Sequence, residues 1–191
     1  VEIIQYIPET VKLTKMEAEA IYGGIMIDTN NFTNRTGVRT FEAAAYLRKC
    51  GVDIIRVKKW FQSDLESFNK IADIVRKAEI VNDSIAIALC DGEKSKDISL
   101  LCAKAADELL TISDVTASFV LGDTGEKVCI SGRSIGDINV QVILEKLGGG
   151  GHITLAGAQV EGMTLEEVKQ EFRARKAYIA EGEELVKLKK I

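Results

Sequence analysis

The sequence predicts an α/β protein: a helical tail of a domain over residues 1–60, then a mixed-sheet α/β unit over 79–191, joined by a linker helix at 61–78. Three observations predict it. Short apolar runs with strand character, Ile85–Cys90, Ala117–Leu121 and Lys127–Ile130, alternate with helix-like stretches, and that alternation builds a sheet covered by helices. Residues 1–60 carry helix starts and stops but little strand signal. Apolar residues make up 46% of the 191 and charged residues 28%, the balance of a folded chain large enough for one large domain or two small ones.

The elements follow in order. Residues 1–7 read as the last turns of an amphipathic helix, stopped by Pro8, whose ring nitrogen has no proton to donate. A chain that begins inside an element, without an initiator methionine, is expected to be a fragment. Thr14-Lys-Met-Glu17 is a capping box, in which hydroxyl and carboxylate satisfy free amides at a helix start. The helix it opens runs through Ala18–Ile27 and finishes near Asp28-Thr29. Its Gly23-Gly24 pair weakens it and suits a close approach by another backbone. A second helix spans about Thr40 to Cys50 and stops at Gly51. A third spans Asp64 to Lys77 with Ser63 as cap, and Trp60, Phe61 and Phe68 beside it read as packing residues.

Beyond Ala78 the strand Ile85–Cys90 precedes a helix over Ser99–Leu110. Gly122-Asp-Thr-Gly125 joins two strands as a hairpin. A helix over Ile138–Leu147 stops at Gly148, Leu155–Val160 is another strand, and the capping box Thr164-Leu-Glu-Glu167 starts a terminal helix running to about Glu181.

Charge and cysteines narrow the function. With 25 basic against 29 acidic residues the formal charge is -4, which argues against a surface for long nucleic acid. A small phosphorylated ligand needs only a local cluster of donors. The four cysteines, Cys50, Cys90, Cys102 and Cys129, have no Cys-x-x-Cys spacing, so they read as reduced core thiols, consistent with a cytoplasmic location. The sequence has no apolar run of membrane-spanning length. A membrane anchor elsewhere in a longer parent stays open.

Three segments are candidates for chemistry. Gly148 to Gly151 followed by His152, the single histidine, gives up side-chain packing. That suits backbone amides converging on an anion, while the ordinary reading is a flexible loop. Ser131-Gly-Arg133-Ser134 lies just past the expected strand end, where a guanidinium fork and two hydroxyls can meet a phosphate; the alternative is a solvated turn. Asp137 would cap the next helix, with Asn139 in its first turn. Asp28, directly after an apolar run, needs a partner if buried. A divalent metal, a helix cap, or an ion pair with Arg35 or Arg39 would each serve.

These segments also carry a family resemblance. Gly24-Ile-Met-Ile-Asp28-Thr-Asn-Asn-Phe32-Thr-Asn-Arg35-Thr-Gly-Val-Arg39-Thr-Phe resembles the last metal-ligand motif of the DHH superfamily of phosphodiesterases. Ser131-Gly-Arg-Ser134, Asn139 and Gly-Gly-Gly-Gly-His152 through Ala156-Gly-Ala158 are similar to the DHH-associated domain. The Arg-Thr-Gly-x-Arg-Thr-Phe run looks most like the cyclic di-AMP phosphodiesterase branch, the GdpP/YybT type. The resemblance implies an enzyme holding two Mn2+ ions in its DHH half and the substrate nucleotide in the other, cutting cyclic di-AMP to linear pApA. Asp28 then matches a metal ligand. Arg133, Gly149, Gly150, Gly151 and His152 match the substrate-side motif, and Ser131, Ser134 and Asn139 accompany them. The Asp-His-His motif is absent from this sequence, so Asp28 cannot hold two metals unaided and the chain alone is expected to be inactive. Expected partners are a small nucleotide, the N-terminal DHH half and a second copy as a homodimer. A nanoRNase or pAp phosphatase of the same superfamily, and a non-catalytic nucleic-acid-binding module, are the competing readings.

Overall fold

A computed structural model describes residues 1–5, 12–91 and 97–174. The chain falls into two compact units, Val1–Ser63 and Asp64–Ile191.

The first unit is helical. After α1 (Glu2–Gln5), α2 (Lys15–Asp28) starts at the expected capping box: the Thr14 amide donates to the Glu17 carboxylate at 2.8 Å, and the Glu17 amide donates to the Thr14 hydroxyl at 3.3 Å. Pro8 lies outside the described residues. α3 (Val38–Lys49) begins two residues before the expected Thr40, and Cys50 and Gly51 end it. The sequence reading missed α4 (Ile54–Trp60), whose cap is Asp53, accepting from the Ile55 and Arg56 amides. Ala18, Tyr22, Leu47, Val52 and Val57 form the core. Beside them the fully buried Glu19 accepts the Asp53 amide at 3.3 Å and faces Arg56 Nε at 3.5 Å, which ties α2 to α4. Gly23 is approached by a ring rather than by a backbone: a Cβ there would sit 3.3 Å from Phe61, and Gly24 has open space. Trp60 and Phe68 are substantially exposed, against the packing role expected for them, while Phe61, also exposed in part, lays its ring near Gly23.

The second unit begins with α5 (Leu65–Arg76), capped by Asp64 rather than Ser63. This helix, expected as a linker, packs on α6 and β2 through Ile71, Ile74 and Val75. There follow β1 (Glu79–Val81), β2 (Ile85–Cys90), α6 (Ile98–Leu109), β3 (Ala117–Asp123), β4 (Val128–Ser134), α7 (Val140–Glu145), β5 (Gly150–His152), β6 (Leu155–Val160) and α8 (Leu165–Ala174). The end expected for the last helix, near Glu181, lies outside the described residues. The strands form one mixed sheet in the order β1-β2-β3-β4-β6-β5. β2 and β3 are parallel, as the α6 crossover requires, and the other pairs are antiparallel.

Helices cover the sheet from both sides. On one face α5 and α6 pack over Ala86, Ala88, Cys90, Val120 and Cys129. On the other, α7 and α8 pack over Ile85, Ile87, Phe119, Leu121, Ile130, Ala156 and Ala158. Phe119 meets Phe172 of α8 at 4.7 Å between ring centroids, in a tilted geometry that suits aromatic quadrupoles. Alternate residues of a strand face opposite ways, so β2 and β3 are buried on both faces while β6 alternates exposed and buried. Among the described residues no helix is long and apolar enough to cross a membrane.

Candidate nucleotide-binding face

β4 runs through Ser134, so Arg133 lies within a strand and not, as expected, beyond its end. The register then aligns residues across three strands. His152 of β5 pairs with Leu155 of β6, which pairs with Arg133 of β4. Gly150 pairs with Gly157, which pairs with Ser131. Directly paired residues share a face, so these six form two adjacent rows on the face that α6 covers at β3 and β4. Arg133 and His152 stand two strands apart, about 10 Å between backbones. Leu155, Gly157 and Gln159 are exposed there, as are Gly150 and His152. Among the described residues no hydrogen bond engages the His152 ring.

The glycines separate by physical cause. Gly148, at φ +74, reverses the chain after α7, and its amide donates to Glu145 O at 3.0 Å. The Gly149 amide donates to Leu144 O at 2.9 Å, and a Cβ there would come within 2.2 Å of Gly157 O. Gly151 combines φ +149 with a Cβ position 2.4 Å from Leu155 O. These three glycines serve the close approach of the run to β6 and the end of α7. The expected cradle of converging amides is therefore not formed by the first two, whose N–H groups cap the helix. Gly150 differs: its φ is not in the left-handed region and a Cβ would meet nothing within 4 Å. Opposite it, Gly157 would make only an ordinary contact at 3.5 Å. Neither glycine is demanded by packing, and together they leave bare backbone between His152 and Ser131.

Arg133 is held rather than free. Its Nε donates to Asp107 Oδ1 of α6 at 2.9 Å, and Nη1 donates to Gly132 O at 3.0 Å. The side chain is 12% exposed and Asp107 47%. Two of five guanidinium protons are thus engaged, which fixes the plane of the fork. Asp107 escaped the sequence reading because it is one acidic residue on an ordinary helix, 26 positions from its partner.

The remaining candidates take other roles. Ser131 pairs with Gly157 on the same face and is buried. Ser134 points the opposite way, donating to Ile138 O at 2.6 Å and accepting from the Gly136 amide at 3.3 Å, so it shapes the turn into α7. Asn139, not Asp137, caps α7: its side-chain oxygen accepts from the Gln141 and Val142 amides at 3.1 and 3.3 Å. The turn closed by Ser134 carries the loop through Ile138 and delays the helix.

Asp28 belongs to the first unit. It ends α2 and is exposed, so burial does not force a partner on it. Arg39 pairs with Glu2 at 3.5 Å, and among the described residues no hydrogen bond or ion pair joins Arg35 or Arg39 to Asp28. A carboxylate at a helix C-terminus faces the negative end of the macrodipole, a placement that favours an external cation. Directly after it, Asn30, Asn31 and Phe32 are all left-handed, at φ 44, 55 and 66, which costs about 1 kcal/mol or more for each. Phe32 is pinned between Tyr22 and Phe41, with ring centroids at 5.8 and 5.7 Å. Among the described residues, however, no group of three or more His, Cys, Asp or Glu side chains could hold a metal ion. The described residues do not fit a metal pair.

The DHHA1 domain family matches residues 82–180, just over half of the chain. The cyclic-di-AMP phosphodiesterase GdpP of Geobacillus thermodenitrificans is 47% identical over 173 residues, covering 90% of this chain and 26% of that protein. GdpP of Bacillus subtilis is 41% identical over 174 residues, again 90% and 26%. PdeA of Listeria monocytogenes, also a cyclic-di-AMP phosphodiesterase, is 43% identical over 172 residues, 89% and 26%. The chain thus spans about a quarter of the curated relatives it matches. Among solved structures, an exopolyphosphatase-related protein from Bacteroides fragilis has a TM-score of 0.72 at 22% identity, covering 91% of this chain and 52% of that one. That likeness is one of fold.

Proposed function

The chain belongs to the DHHA1 domain family, and from that premise we propose that it is the nucleotide-binding part of a metal-dependent phosphodiesterase that opens cyclic di-AMP to pApA. One observation carries the reading: Arg133, its fork fixed by Asp107, shares a sheet row with exposed His152, beside the bare Gly150–Gly157 backbone. A guanidinium held in one plane suits a phosphate oxygen pair. An imidazole about 10 Å away reaches a second phosphate or a ribose edge. Leu155 stands between the two side chains, and the bare Gly150–Gly157 backbone in the adjacent row accepts a flat base. Relatives named cyclic-di-AMP phosphodiesterases, at 41–47% identity, support this choice of substrate.

In this reading Arg133, His152, Gly150 and Ser131 touch the nucleotide. Gly149, Gly151, Ser134 and Asn139 act by holding β5 and α7 in place. Asp28 is one metal ligand, and a manganese pair requires further ligands beyond it. The chain by itself binds but does not cut. Calorimetric titration with cyclic di-AMP tests the first half: binding is expected for this chain, and Arg133→Ala or His152→Ala should weaken it about tenfold or more, corresponding to about 1.4 kcal/mol. Wild-type affinity in both variants would sink the site. Incubation of this chain with cyclic di-AMP and Mn2+ tests the second half, and pApA above a metal-only control would refute it.

A further inference from the structure

Three of the four cysteines, brought together from β2, α6 and β4, form a cluster beneath the first residues of α6. Cys129 Sγ lies 3.9 Å from Cys102 Sγ. In the register Cys90 and Cys129 flank Gly122 from its two neighbouring strands, and Cys102 Sγ sits over that glycine, which makes Cys102 the central thiol. All three are buried. Gly122 makes room for them, since a Cβ there would fall 2.6 Å from Cys102 Sγ and 3.3 Å from Cys90 Cβ. Burial alone would make these ordinary core thiols. Cys90, however, also lines a cavity of about 620 Å3 between α5 and α6, with Lys70, Lys77, Ile98 and Leu101 among its walls. Cys90 therefore joins the thiol cluster to a cavity wall.

We propose that this cluster is a peroxide-responsive thiol site, in which Cys90 is oxidised from the cavity and Cys102 closes a disulfide onto it. The Cys90 sulfur attacks the distal oxygen of a hydroperoxide. The O–O bond breaks, an alcohol or water leaves with the thiol proton, and Cys90 becomes a sulfenic acid. Cys102 then loses its proton as its sulfur attacks Cys90, the S–O bond breaks, and water leaves. Two thiols have lost two electrons to one peroxide. The neighbouring Cys102 thiol favours the thiolate at Cys90, while contacts with Cys129 and Cys90 hold Cys102 itself protonated, so Cys90 reacts first and Cys102 gives up its proton only as it attacks.

The site has a route to the sheet's open face. α6 carries Cys102 and, five residues later, Asp107, the anchor of Arg133. A disulfide brings sulfurs to about 2 Å, closer than thiols in van der Waals contact, so α6 shifts against the strands and takes the Asp107–Arg133 pair with it. This holds whether or not the open face binds a nucleotide.

The test treats the reduced chain with hydrogen peroxide, blocks remaining thiols under denaturing conditions, and maps peptides by mass spectrometry. The expected result is loss of two thiols in one intramolecular disulfide that joins Cys102 to Cys90 or, after exchange, to Cys129, reversed by dithiothreitol. The Cys90→Ser variant, kept conservative so that it folds, should oxidise at least tenfold more slowly. Amide NMR signals of Asp107 and Arg133 should move on oxidation and return on reduction. Oxidation confined to half-buried Cys50, an unchanged rate in Cys90→Ser, or unmoved Asp107 and Arg133 signals would each overturn the proposal. The peptide map needs only wild-type protein, so misfolding of the variant leaves it decisive.

Discussion

The two halves of the β-sheet do opposite things. At β2 and β3 helices lie on both faces, and side chains as large as Phe119 and Leu121 are fully buried. At β6 and β5 only the α7 side is packed, so Ala156 and Ala158 are buried while Leu155, Gly157 and Gln159, which alternate with them, stay exposed. A covered strand spends its residues on packing. A half-covered strand leaves one face open. The α6 helix marks the divide, with thiols beneath one part and the anchor of Arg133 at its far end.

The largest expected effect tests the covered end. Phe119→Ala should lower unfolding free energy by about 3–5 kcal/mol in urea titration, since it removes a ring packed against Phe172 and Gly132. Leu155→Ala on the open face should stay within about 0.5 kcal/mol yet weaken cyclic di-AMP binding. Equal losses of stability would erase the distinction. The glycine run sharpens it. Gly151→Ala introduces a Cβ into Leu155 O at a left-handed position and should cost about 2 kcal/mol or more. Gly150→Ala, with open space around it, should cost under about 1 kcal/mol while lowering nucleotide affinity. A destabilised Gly150→Ala would mean that this glycine serves the fold as the others do.

Asp107→Asn tests the boundary. Its half-exposed ion pair should contribute at most about 1 kcal/mol to stability, but freeing the guanidinium should weaken binding more than it weakens the fold. Calorimetry and thermal melting on the same sample separate the two. The smallest effect is acid sensitivity. Backbone and hydroxyl hydrogen bonds hold the capping carboxylates Glu17, Asp64 and Glu167 below their ordinary range, and Asp53 is lowered first by the Arg56 amide. A lowered folded value means that stability is fully present above the ordinary value near 4 and is lost as pH falls through the folded value. Melting temperature should therefore be flat from pH 7 to about 5 and drop below about 4. A drop already complete at pH 5 would assign acid unfolding to other groups.

Much of the fold was legible because local chemistry specified it. Both capping boxes, the apolar runs of β2 and β3, and the glycine that ends α7 act within a few residues. The elements that escaped notice are β1 and β5, three residues each, and α4. Three residues give no readable period, and Gly-Gly-His has no strand propensity, so β5 exists only because β6 offers partners. Ser134 and Asn139 were legible as polar residues near a site, but their bonds to Ile138 and α7 depend on where the turn closes.

By itself the sequence determined the α/β class, most helix starts and the residue types at the candidate site, because capping, periodicity and glycine content act over short distances. Tertiary structure alone decided that Arg133 faces the same way as His152, that Asp107 holds it, and that three thiols meet. Those juxtapositions depend on strand register and helix placement, and a register shift of one residue would turn every one of these side chains to the other face.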